Sequence, residues 1–455
     1  MLKVAPGRSS KLNRQVVLYL LNSFKLKVVN PSVKAFIFAY LYVVLPKVIN
    51  HIIVSIRKRR INEILPRTFK ILVNAFHPKK FPMFAANLVA CINILEPVAY
   101  RVLRKHKGPV NAIFLSTFVS SLVSALIAFP GYQNHILGYG RYFSLDLTLL
   151  LVTRAVDTAL SSSLSGSLPS QMAGLGDGGL FIGSCIFIMY AWFFYPENLP
   201  PAYAKWITSA ANMDPELITL LRAVKQKTMK YGEYTPGLQE ELYPYCDRYG
   251  QDRKRINMKE TVPIDCELVH AFQTKNCELH ALWRFWRGFE FAIKLYGPLN
   301  AIMLLIPKKN VTMQVRIVRA IQSSLRSSCF LGTFIGFYWY AVCLARTRVL
   351  PKVFPKVARE RWDDTIAPTA GAIACGFSCF IENIQRRKEL ALFVAPRALG
   401  TFVPSEPSKI NLKIESLVFS LSLATLVAYS RSDASKVRGI FGKGLQQVFR
   451  ISSYA

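Results

Sequence analysis

The sequence predicts an all-α, polytopic helical membrane protein, with two repeated four-helix units flanking a polar extramembrane region. Three observations predict it. Apolar residues make up 52% of the 455 residues and charged residues only 18%, well under the roughly 25% of globular chains. Several stretches approach the roughly 20 apolar residues that a helix needs to cross a bilayer, and lipid admits only helices or closed barrels, because it leaves free backbone groups without partners. The third observation is a recurrence. "DLTLLLVTRAV" from Asp146 and "ELALFVAPRAL" from Glu389 align without a gap, each an acid, an apolar run and an Arg-Ala pair.

In chain order, residues 1–62 form a basic segment that leads into a first hydrophobic helix, Ala35–Ile56, interrupted at Pro46-Lys47. The first acid is Glu63. No continuous apolar core with a cleavage site opens the chain, so this is not a secretory signal. Lys25 and Lys27 run into the hydrophobic stretch, which favours a helix lying on an anionic membrane over a transit peptide. Residues 63–200 read as the first unit: an amphipathic helix, Glu63–Phe76, then spans at Pro82–Leu103, Asn111–Phe129, Leu145–Leu160 and Gly178–Tyr195. Residues 201–290 are polar; 13 of the 26 acids fall between Glu197 and Glu290. Residues 291–310 hold a short apolar segment, Tyr296–Ile306, read as interfacial or re-entrant. Residues 311–432 read as the second unit, with spans at Ser327–Ala345, Ile366–Ile381, Leu390–Phe402 and Leu417–Tyr429. Residues 433–455 are a basic tail.

Spacing supports the repeat. Phe84 to Arg154 is 70 positions and Phe330 to Arg397 is 67. In both blocks the densest basic loop follows the first span, Arg101–Lys107 and Arg346–Arg361. If Tyr296–Ile306 crossed, those loops would face opposite sides, against the positive-inside rule; the expectation is parallel units. The net charge of +32 sits in clusters such as Arg57–Arg60 beside apolar segments, as in loops facing anionic lipid. The expected partner is therefore a bilayer with anionic lipids and not nucleic acid, and a homo-oligomer is allowed.

Three constellations could carry chemistry. Arg154 and Arg397 are ionised residues inside apolar sequence, which costs roughly 2.5–3.5 kcal/mol at membrane centre. Arg154 has Asp157 one helical turn on, while Arg397 would need Glu382, Glu389 or a carbonyl. A structural ion pair and a pathway role both remain open. Gly332 and Gly336, four apart, with Gly371 and Gly376, suit close helix packing. Cys266, His270, Cys277 and His280 read Cys-x3-His-x6-Cys-x2-His. Two thiolates and two imidazoles could close a zinc site; a Cys266–Cys277 disulfide or free residues are the alternatives. The remaining membrane cysteines, Cys343 among them, read as small core hydrophobes. No nucleophile-base set, phosphate loop or carboxylate pair stands out, so no catalytic residue, no enzyme and no cofactor beyond zinc are expected.

"RSSCFLGTF" (Arg326–Phe334), "ENIQRRKELALFVAPRAL" (Glu382–Leu399), "FYPENLPPAYAKWI" (Phe194–Ile207) and the Cys-His stretch running into "WRFWRGF" (Trp283–Phe289) together resemble the fungal branch of the transmembrane protein 135 family. The resemblance covers roughly Pro82 to Leu399. Cys266 and Cys277 resemble the family's cysteine-rich region, and the chain departs from it at Ala271, where a proline would follow the histidine. The resemblance implies a multi-pass peroxisomal membrane protein, with mitochondria as the alternative location. The family is linked to peroxisome abundance and division and to lipid homeostasis; the expected partners are organelle-division or peroxisome-biogenesis proteins, recruited by the basic N-terminus and the acidic central region. The resemblance also implies four-helix units similar to inner-membrane translocase channels and small peroxisomal membrane proteins. The alternative expectation is a channel or carrier for lipids, metabolites or polypeptides.

Overall fold

The computed structural model describes residues 18–449, apart from 20, 106–107, 138–141, 165–169, 261–263, 306–310 and 405. The basic residues before 18 and those after 449 lie outside the described residues. Among the described residues the chain is all-helical, 82% helix with no strands. The principal helices are α1 (Asn30–Arg57), α2 (Ile64–Asn74), α3 (Phe81–Arg104), α4 (Pro109–Leu137), α5 (Tyr142–Leu164), α6 (Ser170–Phe194), α7 (Pro201–Ala211), α8 (Pro215–Lys225), α9 (Tyr243–Arg248), α10 (Cys266–Val269), α11 (Cys277–Leu304), α12 (Met313–Cys343), α13 (Ala367–Gly376), α14 (Ile384–Gly400), α15 (Lys409–Ser432) and α16 (Gly439–Phe449).

Among the described residues, seven helices are long and apolar enough to cross a membrane: those of α1, α3, α4, α6, α12, α13 and α15. Large apolar side chains are exposed along them, for example Leu41, Leu45 and Ile53 on α1 and Leu417 and Leu421 on α15. Water does not tolerate such a band over several helices; acyl chains do. Two of the expected spans are not among the seven. Leu145–Leu160 lies in α5, which carries Asp146, Arg154 and Asp157. Leu390–Phe402 falls mostly in α14, only 17 residues long and opening on Arg386-Arg387-Lys388-Glu389. The repeated arginines thus sit on the two expected spans that fall outside the seven. Tyr296–Ile306 is not a separate segment either: up to Leu304 it continues α11, which runs unbroken through Pro298.

The helices group into two compact units, 1–167 with 405–455 and 168–404. This grouping differs from the division at residue 200 and at 311–432 read from the sequence. In the first unit, α15 packs on α4 and α5, and α3 packs on α4. Phe129 stacks on Phe419 at 3.9 Å between ring centres, with Phe84, Ile92 and Leu426 around them. A buried Arg431–Glu96 pair, 2.9 Å apart, ties α15 to α3. The expected basic tail contributes α16, whose Val448 and Phe449 are buried in this core.

In the second unit, α6 packs on α13 and α14, and α12 on α11 and α13. The helices approach at their glycines. A Cβ on Gly332 would lie 2.8 Å from the Phe285 carbonyl oxygen, and one on Gly336 would lie 3.2 Å from that of Ala281. On α13, a Cβ at Gly371 would meet Val342 and Tyr338, and one at Gly376 would meet the Ile182 backbone at 2.9 Å. Residues 196–276 fold around a sealed nucleus of Met229, Leu242, Tyr245, Met258 and Leu268. The Tyr245 hydroxyl donates to the Leu268 carbonyl at 2.6 Å, and the Gln239 amide donates to that of Ile256 at 2.7 Å. None of the seven long apolar helices falls between Phe194 and Met313.

These close approaches predict asymmetric glycine tolerance. Gly332→Val should destabilise the detergent-solubilised chain by about 1–3 kcal/mol, because backbone stands where the side chain must go. Gly183→Val, where nothing lies within 4 Å, should leave the thermal midpoint nearly unchanged. Equal effects would mean that the α11–α12 packing is wrong.

Candidate metal centre

The Cys-His stretch begins both of its helices with a cysteine. Asp265 caps α10, its carboxylate accepting from the Glu267 N–H, and Cys266 is the first helical residue. Asn276 caps α11, its side-chain oxygen accepting from the N–H groups of Glu278 and Leu279, and Cys277 is the first helical residue there. A helix start favours negative charge, and therefore thiolate. Between the helices, Ala271 and Phe272 take left-handed backbone, with φ near +55°. Proline is fixed near −65°, so the departure at Ala271 suits this turn. The turn folds His270 back over the start of α11.

His270 is fully buried. Its Nδ1 faces the Thr274 carbonyl oxygen at 2.8 Å, and that acceptor keeps the proton on Nδ1. The lone pair of Nε2 then points at Cys343 Sγ, 3.2 Å away. Ligand atoms of His270, Cys277 and Cys343 all lie within 4.8 Å of one another. The Cys266 thiol is hydrogen-bonded to that of Cys343 and to Thr347 Oγ1 at 3.5 Å. Two sulfurs and one imidazole nitrogen therefore converge, with the Cys266 thiol beside them as a candidate fourth ligand atom. Zinc with Zn–S near 2.3 Å and Zn–N near 2.0–2.1 Å needs tetrahedral ligand atoms ~3.5–3.8 Å apart, within reach of small side-chain rotations. The Nδ1-to-carbonyl bond is the outer support that metal-binding histidines ordinarily have.

The electrostatics favour a single thiolate at Cys266, because burial and the neighbouring Cys266 sulfur push the Cys277 thiol up. The hydrogen bond from Cys343 holds the Cys266 thiol down to about 5, against the opposing effect of burial, with Thr347, Arg346 and His270 adding to it. Arg348 stands near Cys277 and pairs with Glu278. Arg346 is buried at the end of α12, where it donates to Asp363 and to the Ile264 carbonyl. Asp363 also accepts from the Tyr231 hydroxyl.

The sequence-derived set Cys266, His270, Cys277, His280 is thus only partly assembled. His280 stacks on the His270 ring at 4.1 Å, and its Nε2 accepts from Arg284 Nε at 3.2 Å. Burial, reinforced by Arg284 and His270, holds its pKa down to about 2, so it is a neutral packing ring. Cys343 takes its place. It lies 66 positions beyond Cys277 in an apolar helix, and local spacing could not tie it to the motif. All nine cysteines are free thiols, which also leaves the Cys266–Cys277 disulfide unformed.

The other expected sites separate. Asp157 accepts from Arg438, Nε to Oδ2 at 3.0 Å. Arg154 is buried, with its guanidinium 6.0 Å from the centre of the Phe441 ring. Glu389 is half-buried, and Glu382 is engaged by Ser327 at 2.7 Å and by Arg386. Arg397 lies over the Phe393 ring at 3.9 Å and the Tyr203 ring at 5.2 Å, and donates to the Phe393 carbonyl. Gly332, Gly336, Gly371 and Gly376 serve packing, as described. Against models of known protein families, curated proteins and solved structures, the chain finds no match.

The geometry predicts one zinc per chain after purification in nonionic detergent. Cys343→Ser should lower that stoichiometry severalfold, and His280→Gln should keep it. Zinc held equally well by Cys343→Ser would contradict the ligand set, as would its loss in His280→Gln.

Proposed function

We propose that this chain is an integral protein of the peroxisomal membrane that regulates peroxisome abundance and division, with a link to lipid homeostasis. It acts by presenting a rigid extramembrane platform to organelle-division or peroxisome-biogenesis proteins, not by catalysing a reaction. The observation that carries this reading is the folded segment 196–276. Its sealed nucleus is fastened to α12 and α13 by the Arg346–Asp363–Tyr231 network and by the Cys-His cluster. Such a platform suits a partner-binding protein, and a pore alone does not require it. Zinc held by Cys266, His270, Cys277 and Cys343 would lock the platform to the membrane helix. The family resemblance of the sequence supplies the organelle.

We also read the chain as a duplication in which the fourth helices are exchanged. In the first unit, α15 lies on α4 and α5; in the second, α6 lies on α13 and α14. By sequence alignment α4 corresponds to α13, α5 to α14 and α6 to α15, so each unit is completed by the other block's last helix. Arg154 and Arg397, equivalent in that alignment, have aromatic rings beside them, and this favours packing roles over a shared polar pathway.

The test is complementation. Cells lacking the chain should show an altered peroxisome number. The wild type, tagged and expressed at native level, should restore the number and coincide with a peroxisomal marker. Asp363→Ala should still insert but fail to restore it. Coincidence with a mitochondrial marker, or unchanged counts on deletion, would overturn the reading and bring the translocase-like conduit forward.

A further inference from the structure

The second unit contains a cavity of about 350 Å³ apart from the Cys-His cluster. Its walls are apolar and largely aromatic: Phe181, Ile188 and Trp192 from α6, Phe330 and Tyr338 from α12, and Val394 from α14. All six are buried. The Trp192 N–H is turned to Thr208 Oγ1 at 3.0 Å, so that indole presents only hydrocarbon to the space. Close-packed interiors hold few voids larger than a water molecule, and apolar cavities of even ~150 Å³ stay dry and take up small apolar molecules. The volume falls in the ~300–1,000 Å³ range of ligand pockets.

The cavity has a rim. Trp206 of α7 and Phe393 of α14 line it and are also 42% and 50% exposed. Tyr203, a third lining ring, lies beside them. Arg397 spans two of these rings, 3.9 Å from the centre of Phe393 and 5.2 Å from that of Tyr203. Among the described residues only one of its donors is engaged, by the Phe393 carbonyl. Among the described residues no carboxylate lies within ion-pair distance of Arg397. A guanidinium offers five donors in a planar fork matched to carboxylate or phosphate. The rim therefore supplies the charge and the walls supply the apolar surface that one amphiphile would satisfy together.

We propose that this cavity binds a single long alkyl chain bearing an anionic head, with the chain among Phe181, Trp192 and Phe330 and the anion on Arg397. The shared chemistry is an alkyl tail plus an oxyanion. The oxyanion is either the carboxylate of a free fatty acid or the phosphate of a lysophospholipid. The inference rests on the second unit alone and is independent of the organelle in which the protein works.

The experiment uses the full chain in a large-headed nonionic detergent, with bound mass read by native mass spectrometry and affinity by competition. Palmitate, lysophosphatidate and neutral hexadecanol are the probes. The expected result is one bound amphiphile per chain, with at least one anionic probe binding tenfold or more tighter than hexadecanol. Tighter palmitate identifies a fatty acid site, and tighter lysophosphatidate a phospholipid site. Arg397→Gln should lower binding of the anionic probes to the level of hexadecanol, with hexadecanol still bound saturably, which a merely unfolded variant would not do. Ile188→Phe, which fills the cavity, should weaken all three. As a check on the unaltered protein, a dibrominated stearate should quench tryptophan emission saturably, and Trp206→Phe should reduce that quenching. No saturable binding by the wild type would overturn the proposal, as would an anion preference that survives Arg397→Gln.

Discussion

Arg346 is the residue on which the second unit turns. It sits at the buried end of an apolar helix, where an unpaired guanidinium would cost several kcal/mol, so the fold must bring it an anion and acceptors. Asp363 provides the anion from the start of the next membrane helix, and the Ile264 carbonyl provides an acceptor from just before α10. Tyr231 completes the network from the middle of the 196–276 segment. One buried charge thus gathers three remote parts of the chain. Less than one turn before it, Cys343 faces the cluster that α10 and α11 begin. The ion pair and the cluster fasten the same two parts of the protein through Cys343, the last residue of α12, and Arg346 in the turn that continues it.

That arrangement explains why the Cys-His stretch looks incomplete when read alone. A zinc site made only of Cys266, His270, Cys277 and His280 would have closed a local loop. With Cys343 as a ligand the site becomes a cross-link between a polar segment and a membrane helix. His280 and Arg284 then form a second layer: the imidazole stacks on His270, and Arg284 binds it while donating to the Ala211 and Asn212 carbonyls at 3.1 and 2.9 Å. Burial lowers the Arg284 pKa to about 10, still far above neutral, so the layer keeps its charge.

Helix content and most membrane helices were legible in the sequence, because twenty apolar residues in a row have few other outcomes. The glycine faces were legible as well, since small residues four apart allow backbones to meet. The two expected spans outside the seven differ in cause: α5 carries Asp146, Arg154 and Asp157, and α14 is only 17 residues long and opens on a run of charges. The Asp157 partner failed differently. A helix-turn spacing suggested Arg154, but Arg438, far along the chain, reaches it. The grouping of α6 with α13 and α14, and of α15 with α4 and α5, was invisible, because helix pairing across long connections leaves no local mark. Cys343 shares that fate. Of the three residues that the fold brings together, His270 and Cys277 lie in the local motif, and Cys343 required the fold.

The central claim is that three sulfurs and one nitrogen, with Cys343 among them, converge on one ion and pin the polar segment to the membrane helix. X-ray absorption at the zinc edge tests it most directly, on the full chain in detergent. The account predicts about three sulfur neighbours near 2.3 Å and one nitrogen near 2.0–2.1 Å, with sulfur falling to about two in Cys343→Ser if any zinc is retained. A wild-type spectrum with two sulfurs and two nitrogens would restore His280 as a ligand and contradict it.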